Sequence, residues 1–222
     1  MKTKACIFDL DGVIVDTAKY HFLAWKRLAD DLGISFTEKD NERLKGVSRM
    51  ASLEIILEIG KRKLPDSKKE ELAALKNKWY VDYISRMTPD EILPGTMKFI
   101  NTLKRAKIKI GLGSASKNTP MILDRVGING IFDAVADGNI VHKAKPDPEV
   151  FLKAASMLGA EPSECVVFED AVAGIEAALN AGMLCVGIGS RDLLPDAHMV
   201  VKGLNEMTLE KLVSLEKPPG YE

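Results

Sequence analysis

The strongest constraint on the fold is a strand with no local partner. Ala5-Cys6-Ile7-Phe8 is a run of four apolar residues, the pattern of a short strand buried on both faces. From Thr17 to about Thr88 the chain then carries only helical signals, rich in Leu, Glu, Lys and Ile, with breaks at Gly46, Gly60 and Pro65. Strand-like runs return after 88–95, a connection marked by Pro89, Pro94 and Gly95. From there helix and strand alternate: helix 95–106, strand 108–113, helix 118–127, strand 134–136, helix 147–158, strand 165–169, helix 171–181, strand 185–188, a short strand near 198–201 and helix 207–215. This alternation predicts a parallel sheet covered by helices. The first strand, expected over 4–9, must join that sheet, because nothing in the helical segment can pair with it.

The expected fold class is therefore α/β: a Rossmann-like parallel sheet core flanked by helices, with an inserted all-helical cap domain. The core takes residues 1–16 and 88–222 and the cap 17–87. Within the cap, Thr17 is expected to cap a first helix, and further helices are expected near 38–44, 49–60 and 66–86. Pro218-Pro219-Gly220 reads as a frayed tail.

Composition excludes several classes. A net charge of −1 without a dense basic block argues against nucleic acid as partner. The short runs Lys61-Arg62-Lys63 and Lys68-Lys69 read as solvated helix faces. No apolar stretch approaches the ~18 residues of a membrane span, and no signal-peptide pattern opens the chain. The three cysteines, Cys6, Cys165 and Cys185, lie scattered in apolar runs. That fits a reducing cytoplasm and makes a zinc site improbable.

The chemistry-bearing residues fall where strands end. The first strand runs into Asp9-Leu10-Asp11-Gly12. Unpaired carboxylates are costly inside a core, so the pair belongs at the emerging edge, where open α/β sheets bind ligands. In extended chain Asp9 and Asp11 point the same way. The strand at 165–168 repeats the ending with Glu169-Asp170. Four carboxylates at one edge raise one another's pKa values, a conflict that a hard divalent cation such as Mg²⁺ removes. The strand at 108–113 ends in Ser114-Ala115-Ser116-Lys117-Asn118, which suits a phosphate or merely caps the next helix. Lys145, next to Pro146, is either an ammonium of defined reach or an exposed loop lysine. Together these residues would equip phosphoryl transfer, where positioning and charge stabilisation supply the catalysis. Neither a Walker-type loop nor a Gly-x-Gly-x-x-Gly follows the first strand, so ATP and dinucleotides are not indicated.

Asp9-Leu10-Asp11-Gly12-Val13, Ser114, Lys145-Pro146 and Glu169-Asp170, in this order, resemble the four motifs of the haloacid dehalogenase-like phosphotransferase superfamily. Within it, three further stretches are similar to the β-phosphoglucomutase family: Thr17 to His21 with Trp25; Lys45-Gly46-Val47-Ser48-Arg49 with Ser52; and 114–118. The resemblance implies an aspartyl phosphate on Asp9 and acid/base work by Asp11. It implies one Mg²⁺ held by Asp9, the Asp11 carbonyl, Asp170 and Glu169. The transferring phosphoryl group would lie against Ser114, the Ala115 N–H and Lys145. It further implies transfer between the 1- and 6-positions of glucose through glucose 1,6-bisphosphate, with a second phosphate clamp at Arg49 and candidates in Ser116, Lys117 and Asn118. Lys76 either reaches the sugar or is an exposed helix lysine. His21 either packs or links the cap to Asp11. Small sugar phosphates are the expected partners and a monomer the expected state. The alternative enzyme is a Mg²⁺-dependent sugar-phosphate or phosphoglycolate phosphatase. A distant alternative is a phospho-switch or nucleotide-binding module without turnover.

Overall fold

A computed structural model describes residues 3–45 and 47–215. Gly46, expected as a helix break and site residue, and the expected frayed tail at Pro218-Pro219-Gly220 lie outside the described residues. Six parallel strands form one sheet in the order β3-β2-β1-β4-β5-β6. They are β1 (Ala5–Phe8), β2 (Lys109–Gly113), β3 (Ala134–Ala136), β4 (Cys165–Glu169), β5 (Leu184–Ile188) and β6 (Met199–Val201). The partnerless first strand sits at the centre. Phe8 pairs with Leu112 of β2 on one side and Phe168 of β4 on the other. All three strands run the same way, so Asp9, Ser114 and Glu169 emerge on one edge, at the point where the strand order reverses.

Between β1 and the rest of the sheet lie four helices: α1 (Ala18–Asp31), α2 (Glu38–Glu42), α3 (Arg49–Ile59) and α4 (Asp66–Ile84). They enclose an apolar cluster of their own, built on Trp25, Leu28, Phe36, Leu53, Ile56 and Leu72. The chain leaves and re-enters the sheet side by side: Asp16 N–H donates to Glu91 O at 2.9 Å and Leu93 N–H to Ile14 O at 3.0 Å. The remaining helices are α5 (Thr96–Arg105), α6 (Thr119–Arg125), α7 (Glu149–Leu158), α8 (Val172–Asn180) and α9 (Leu209–Ser214). One face of the sheet buries Phe8, Phe99, Phe168 and Leu212, and the other Ile7, Phe151, Val167 and Ile175. Strands buried on both faces explain why their sequences are continuous apolar runs rather than alternating ones. No helix of the described residues is long and apolar enough to cross a membrane.

Two local expectations are corrected. Lys61-Arg62-Lys63 is not on a helix; it forms the connection after α3, which ends at Ile59. Thr17 does not cap α1 with its side chain: its backbone is already helical (φ −101°, ψ −9°), and no cap hydrogen bond forms. An N-cap side chain needs extended backbone to reach the N–H groups of the first turn. Thr17's hydroxyl turns elsewhere, as the site explains.

Candidate active site

Asp9 leaves β1 still tied to the sheet, its N–H donating to Phe168 O at 2.9 Å. Lys145 reaches it from the loop before α7. The ammonium donates to Asp9 Oδ1 at 2.5 Å, Glu169 Oε2 at 2.8 Å and Gly113 O at 3.4 Å. Burial alone would lower the Lys145 pKa, but the Asp9 and Glu169 carboxylates reverse this and hold it above its ordinary value. The other oxygen of Glu169 accepts from the N–H groups of Asp170 (3.2 Å) and Ala171 (3.0 Å). Burial raises the pKa of Glu169, and Asp9 and Asp170 add to the rise. Asp170 is raised to about 7 by burial and by the charge of Asp9. Two glycines make room for this crowd. A Cβ on Gly12 (φ +81°) would lie 2.8 Å from Asp170 Cγ, and one on Gly174 would overlap the Glu169 carboxyl.

One loop anchor was invisible in the sequence. Glu149, the first residue of α7, accepts from the N–H groups of His142 (3.0 Å) and Lys143 (2.7 Å) and pairs with Lys153 at 2.6 Å. It therefore fixes the backbone two residues ahead of Lys145.

Asp11 faces a different environment. Its side chain is 28% exposed. Its pKa rises to about 6, through burial and the charge of Asp9, although the hydrogen bond from Thr17 opposes the rise. That bond is where the Thr17 hydroxyl goes: it donates to Asp11 Oδ1. His21 Nε2 lies 3.9 Å from the same oxygen, and His21 Nδ1 is 3.0 Å from Lys76 Nζ. While Lys76 holds its third proton it can only donate, so in that state Nδ1 accepts and the imidazole proton sits on Nε2, toward Asp11. Burial, with Lys76 and Arg49 nearby, keeps the His21 pKa well below its ordinary value. Lys76 is not an exposed helix lysine. Its ammonium lies 4.5 Å from the Trp25 ring centroid and 4.7 Å from that of Tyr80. Burial and Arg49 lower its pKa to about 7.

The serines of the 114–118 turn do not cap α6: the residue at its start is Asn118 and no side-chain cap hydrogen bond forms, so they order the turn instead. Ser114 Oγ accepts from Ser116 N–H (3.1 Å) and Ser116 Oγ from Asn118 N–H (3.2 Å). Ser114 still has its own O–H to donate, but it is fully buried, behind the cavity wall rather than on it. Asn118 Nδ2 donates to Asn77 Oδ1 of α4 at 3.1 Å, clasping sheet side to helical side.

Between the two sides lies a cavity of about 510 Å³. Asp9, Asp11, Ala115, Ser116, Lys117, Asn118, Lys145, Glu169 and Asp170 line it from the sheet edge. His21, Trp25, Lys45, Val47, Ser48, Arg49, Ser52 and Lys76 line it from the helices. Thr17, like Ser114, is buried off the wall. Ser48 is committed to capping α3, accepting from Ala51 N–H at 3.2 Å. Lys45 Nζ crosses to within 3.6 Å of Asp170 Oδ2. Arg49 forms no ion pair among the described residues. Asn41, Asn77 and Tyr80 also line the cavity and were not singled out by sequence.

Asp9, Glu169 and Asp170 each present an oxygen within 4.8 Å of the others. Hard oxygens in that number, with raised pKa values at Glu169 and Asp170, fit a Mg²⁺-type cation and not a soft metal. The Asp11 carboxylate is not part of that group.

A haloacid dehalogenase-like hydrolase family model matches residues 3–182. A β-phosphoglucomutase of Bacillus subtilis is 48% identical over 211 residues, covering 94% of this chain and 93% of that protein. The crystal structure of a β-phosphoglucomutase from Clostridium difficile superposes with a TM-score of 0.91 at 44% identity, covering 96% of this chain and 97% of that one. A phosphorylated carbohydrates phosphatase of Thermotoga maritima is 31% identical, over 81% of this chain and 82% of that protein. This chain belongs to the haloacid dehalogenase-like hydrolase family.

Proposed function

We propose that the protein is a β-phosphoglucomutase, interconverting β-glucose 1-phosphate and glucose 6-phosphate through glucose 1,6-bisphosphate. One observation carries the reading: one cavity holds the Asp9–Lys145 pair at one wall and, at the other, the Arg49 guanidinium, which has no ion pair among the described residues. A substrate with two phosphates needs two anion-binding ends, and a guanidinium fork matches phosphate oxygens. The likeness to the B. subtilis and C. difficile mutases over nearly the whole chain supports it.

In this mechanism the Asp9 carboxylate attacks phosphorus of the bisphosphate. The bond to the sugar oxygen breaks, and Asp11 protonates that oxygen. In the return half, a sugar hydroxyl attacks the aspartyl phosphate while Asp11 takes its proton. A carboxyl with a pKa near 6 exchanges a proton readily in either direction at neutral pH. Thr17 orients it. Lys145 and the Ala115 N–H hold the transferring group, and Ser116, Lys117, Asn118 and Arg49 serve its distal partner. Ser114 orders the turn from behind the wall by accepting from the Ser116 N–H. Asp9, Asp170 and Glu169, with the Asp11 carbonyl, would hold one Mg²⁺. When bound, that ion supplies charge neutralisation to the transferring phosphoryl oxygens. The helices of 17–87 act as the cap that keeps water from the aspartyl phosphate. All these residues come from one chain, which suits a monomer, and a cytoplasmic location accords with the free cysteines.

The T. maritima relative gives a second reading, a sugar-phosphate phosphatase on the same machinery. Incubation of β-glucose 1-phosphate with Mg²⁺, with and without a catalytic amount of glucose 1,6-bisphosphate, separates them. Glucose 6-phosphate that depends on the bisphosphate is the expected result. Free phosphate as the main product would replace the mutase by the phosphatase.

A further inference from the structure

We infer that Glu91 is a positioning residue: it braces the first turn of α1 so that the Thr17 hydroxyl stays on Asp11. The inference rests on the phosphoryl-transfer reading above, with Asp11 as acid/base, and adds a residue that lies outside the cavity and outside every motif.

α1 belongs to both sides of the molecule. Trp25, Leu28 and Ala29 pack into the apolar cluster of the helical side. Tyr20 and Ala24 pack instead with the cluster built on Phe8, Phe99 and Phe168, on the sheet side. The two groups that face Asp11 stand at this end of the helix: Thr17 just ahead of it and His21 in its first turn. Only residues 12–16 join Asp11 to them. A swing of the helices on that short tether would carry both groups off Asp11 unless the start of α1 is held to the sheet side.

Glu91 supplies that hold. It stands on the returning chain, in the 3-10 turn Pro89–Glu91, and turns every acceptor it has toward the outgoing chain. Oε1 accepts from the Tyr20 hydroxyl and Oε2 from the Lys19 ammonium, both at 2.5 Å. Its carbonyl accepts from Asp16 N–H at 2.9 Å. Asp16, Lys19 and Tyr20 flank Thr17 in the chain, so fixing all three fixes the backbone that aims the Thr17 hydroxyl. The Glu91 side chain is 16% exposed and that of Lys19 46%. An exposed ion pair holds little, so the bond from Tyr20, whose ring packs on the sheet side, is the stronger arm. None of Lys19, Tyr20 and Glu91 lines the cavity, so the brace acts through Thr17 and not on the substrate.

The choice of phosphoryl donor tests this. When the bisphosphate phosphorylates Asp9, the bond from phosphorus to the sugar oxygen breaks and the proton on Asp11 passes to that oxygen. Acetyl phosphate delivers the same phosphoryl group but releases acetate, a stable anion that needs no proton. The experiment measures single-turnover labelling of Asp9, with Mg²⁺, from radiolabelled glucose 1,6-bisphosphate and from radiolabelled acetyl phosphate. Glu91→Ala should slow labelling from the bisphosphate about tenfold and leave labelling from acetyl phosphate within about twofold. Tyr20→Phe should reproduce most of that loss. Glu91→Gln keeps an acceptor for the Tyr20 hydroxyl and should recover most of the rate. In a Thr17→Val background, Glu91→Ala should add nothing, because the group it aims is gone. Equal slowing with both donors, an unchanged rate, or a full further loss in the Thr17→Val background would overturn the inference. If Glu91→Ala does not fold, Tyr20→Phe is scored the same way. Asp11→Asn separates the inference from the reading it rests on, since it too should slow the bisphosphate far more than acetyl phosphate. If Asp11→Asn slows both donors alike, the acid/base reading of Asp11 fails and takes the inference with it. If Asp11→Asn shows the donor dependence and Glu91→Ala does not, the inference alone fails.

Discussion

Two lysines line the cavity at nearly the same depth, Lys145 at 3% exposure and Lys76 at 2%, yet they are held in opposite states. Lys145 sits between two carboxylates, which keep its ammonium charged well above the ordinary range. Lys76 has two aromatic rings and an imidazole around it and Arg49 nearby, and is pushed down to about 7. Burial pushes both lysines toward the neutral amine, and only a carboxylate partner reverses it. The two states suit two tasks. A permanent cation can hold a phosphoryl group through transfer. A lysine poised near neutrality can become fully charged when an anionic substrate arrives, and can relax when it leaves.

The largest way to disturb this contrast is at Asp9. Asp9→Asn removes one of the two charges that hold Lys145 and, in the proposed mechanism, the nucleophile itself. Phosphoryl transfer should fall by on the order of 10⁴-fold or more. A radiolabelled bisphosphate should leave no acid-stable label on the protein. Turnover-competent labelling of the variant would remove Asp9 from that role.

Next in size is Lys145→Ala, which leaves Asp9 and Glu169 facing each other without the cation. Losing a phosphate-holding charge in a dry site should cost ~10²-fold in kcat/KM, or about 3 kcal/mol. Uncompensated buried carboxylates should also destabilise the fold by roughly 3 kcal/mol. Urea unfolding should recover part of that loss as the pH drops and the carboxyls protonate. An unchanged kcat/KM would reject Lys145 as a phosphate holder.

The contrast also bears on what could be read from the sequence. Lys145 was legible because it precedes a proline in a loop that opens a helix, beside strands that end in acids. The two acid-terminated apolar runs located the sheet edge, and the β4 and β5 runs matched their strands to within a residue. Helix ends differed by at most two residues, because terminal turns are set by caps rather than by periodicity. Lys76 was named only through the family resemblance, with an exposed helix lysine left open beside it. α4 carries Lys68, Lys69, Lys76 and Lys78, and nothing local tells which of them points inward. Asn41 and Asn77 were hidden for the same reason, each an ordinary polar helix residue that only the fold brings to the cavity wall. Glu149 was hidden because its backbone partners six and seven residues back depend on how the loop before α7 folds. Thr17 was visible as a helix opener, but its hydroxyl serves Asp11 and not the helix.

Lys76→Met tests the other half of the contrast. The folded-state pKa is lowered from 10.5 to about 7. Between those values the unfolded chain holds the proton and the folded chain does not, so wild-type stability should rise with pH through that window. Below about pH 7 both states hold it, and the full cost of burying the charge is present. Urea unfolding at pH 7, 8, 9 and 10 should show wild type gaining on the order of 3 to 4 kcal/mol relative to Lys76→Met across the series. Parallel pH profiles would mean that the cavity solvates Lys76 as water does.

The smallest expected effect comes from the anchor that only Lys145 has. Lys76 is placed by a long helix, whereas Lys145 stands on a loop whose backbone is gripped by Glu149. Glu149→Ala frees the N–H groups of His142 and Lys143 and lets the ammonium drift, so kcat should fall roughly three- to tenfold. Glu149→Gln keeps an acceptor oxygen for those N–H groups and should recover most of the rate. The carboxylate's pKa is lowered to about 2, first by Lys153 and then by the Lys143 N–H. The grip should therefore hold from neutral pH down to the low end of the carboxylate range and loosen only as pH falls toward 2. If Ala and Gln lose equally, the charge on Glu149 matters more than the backbone it holds, and Lys145 is positioned by its carboxylate partners alone.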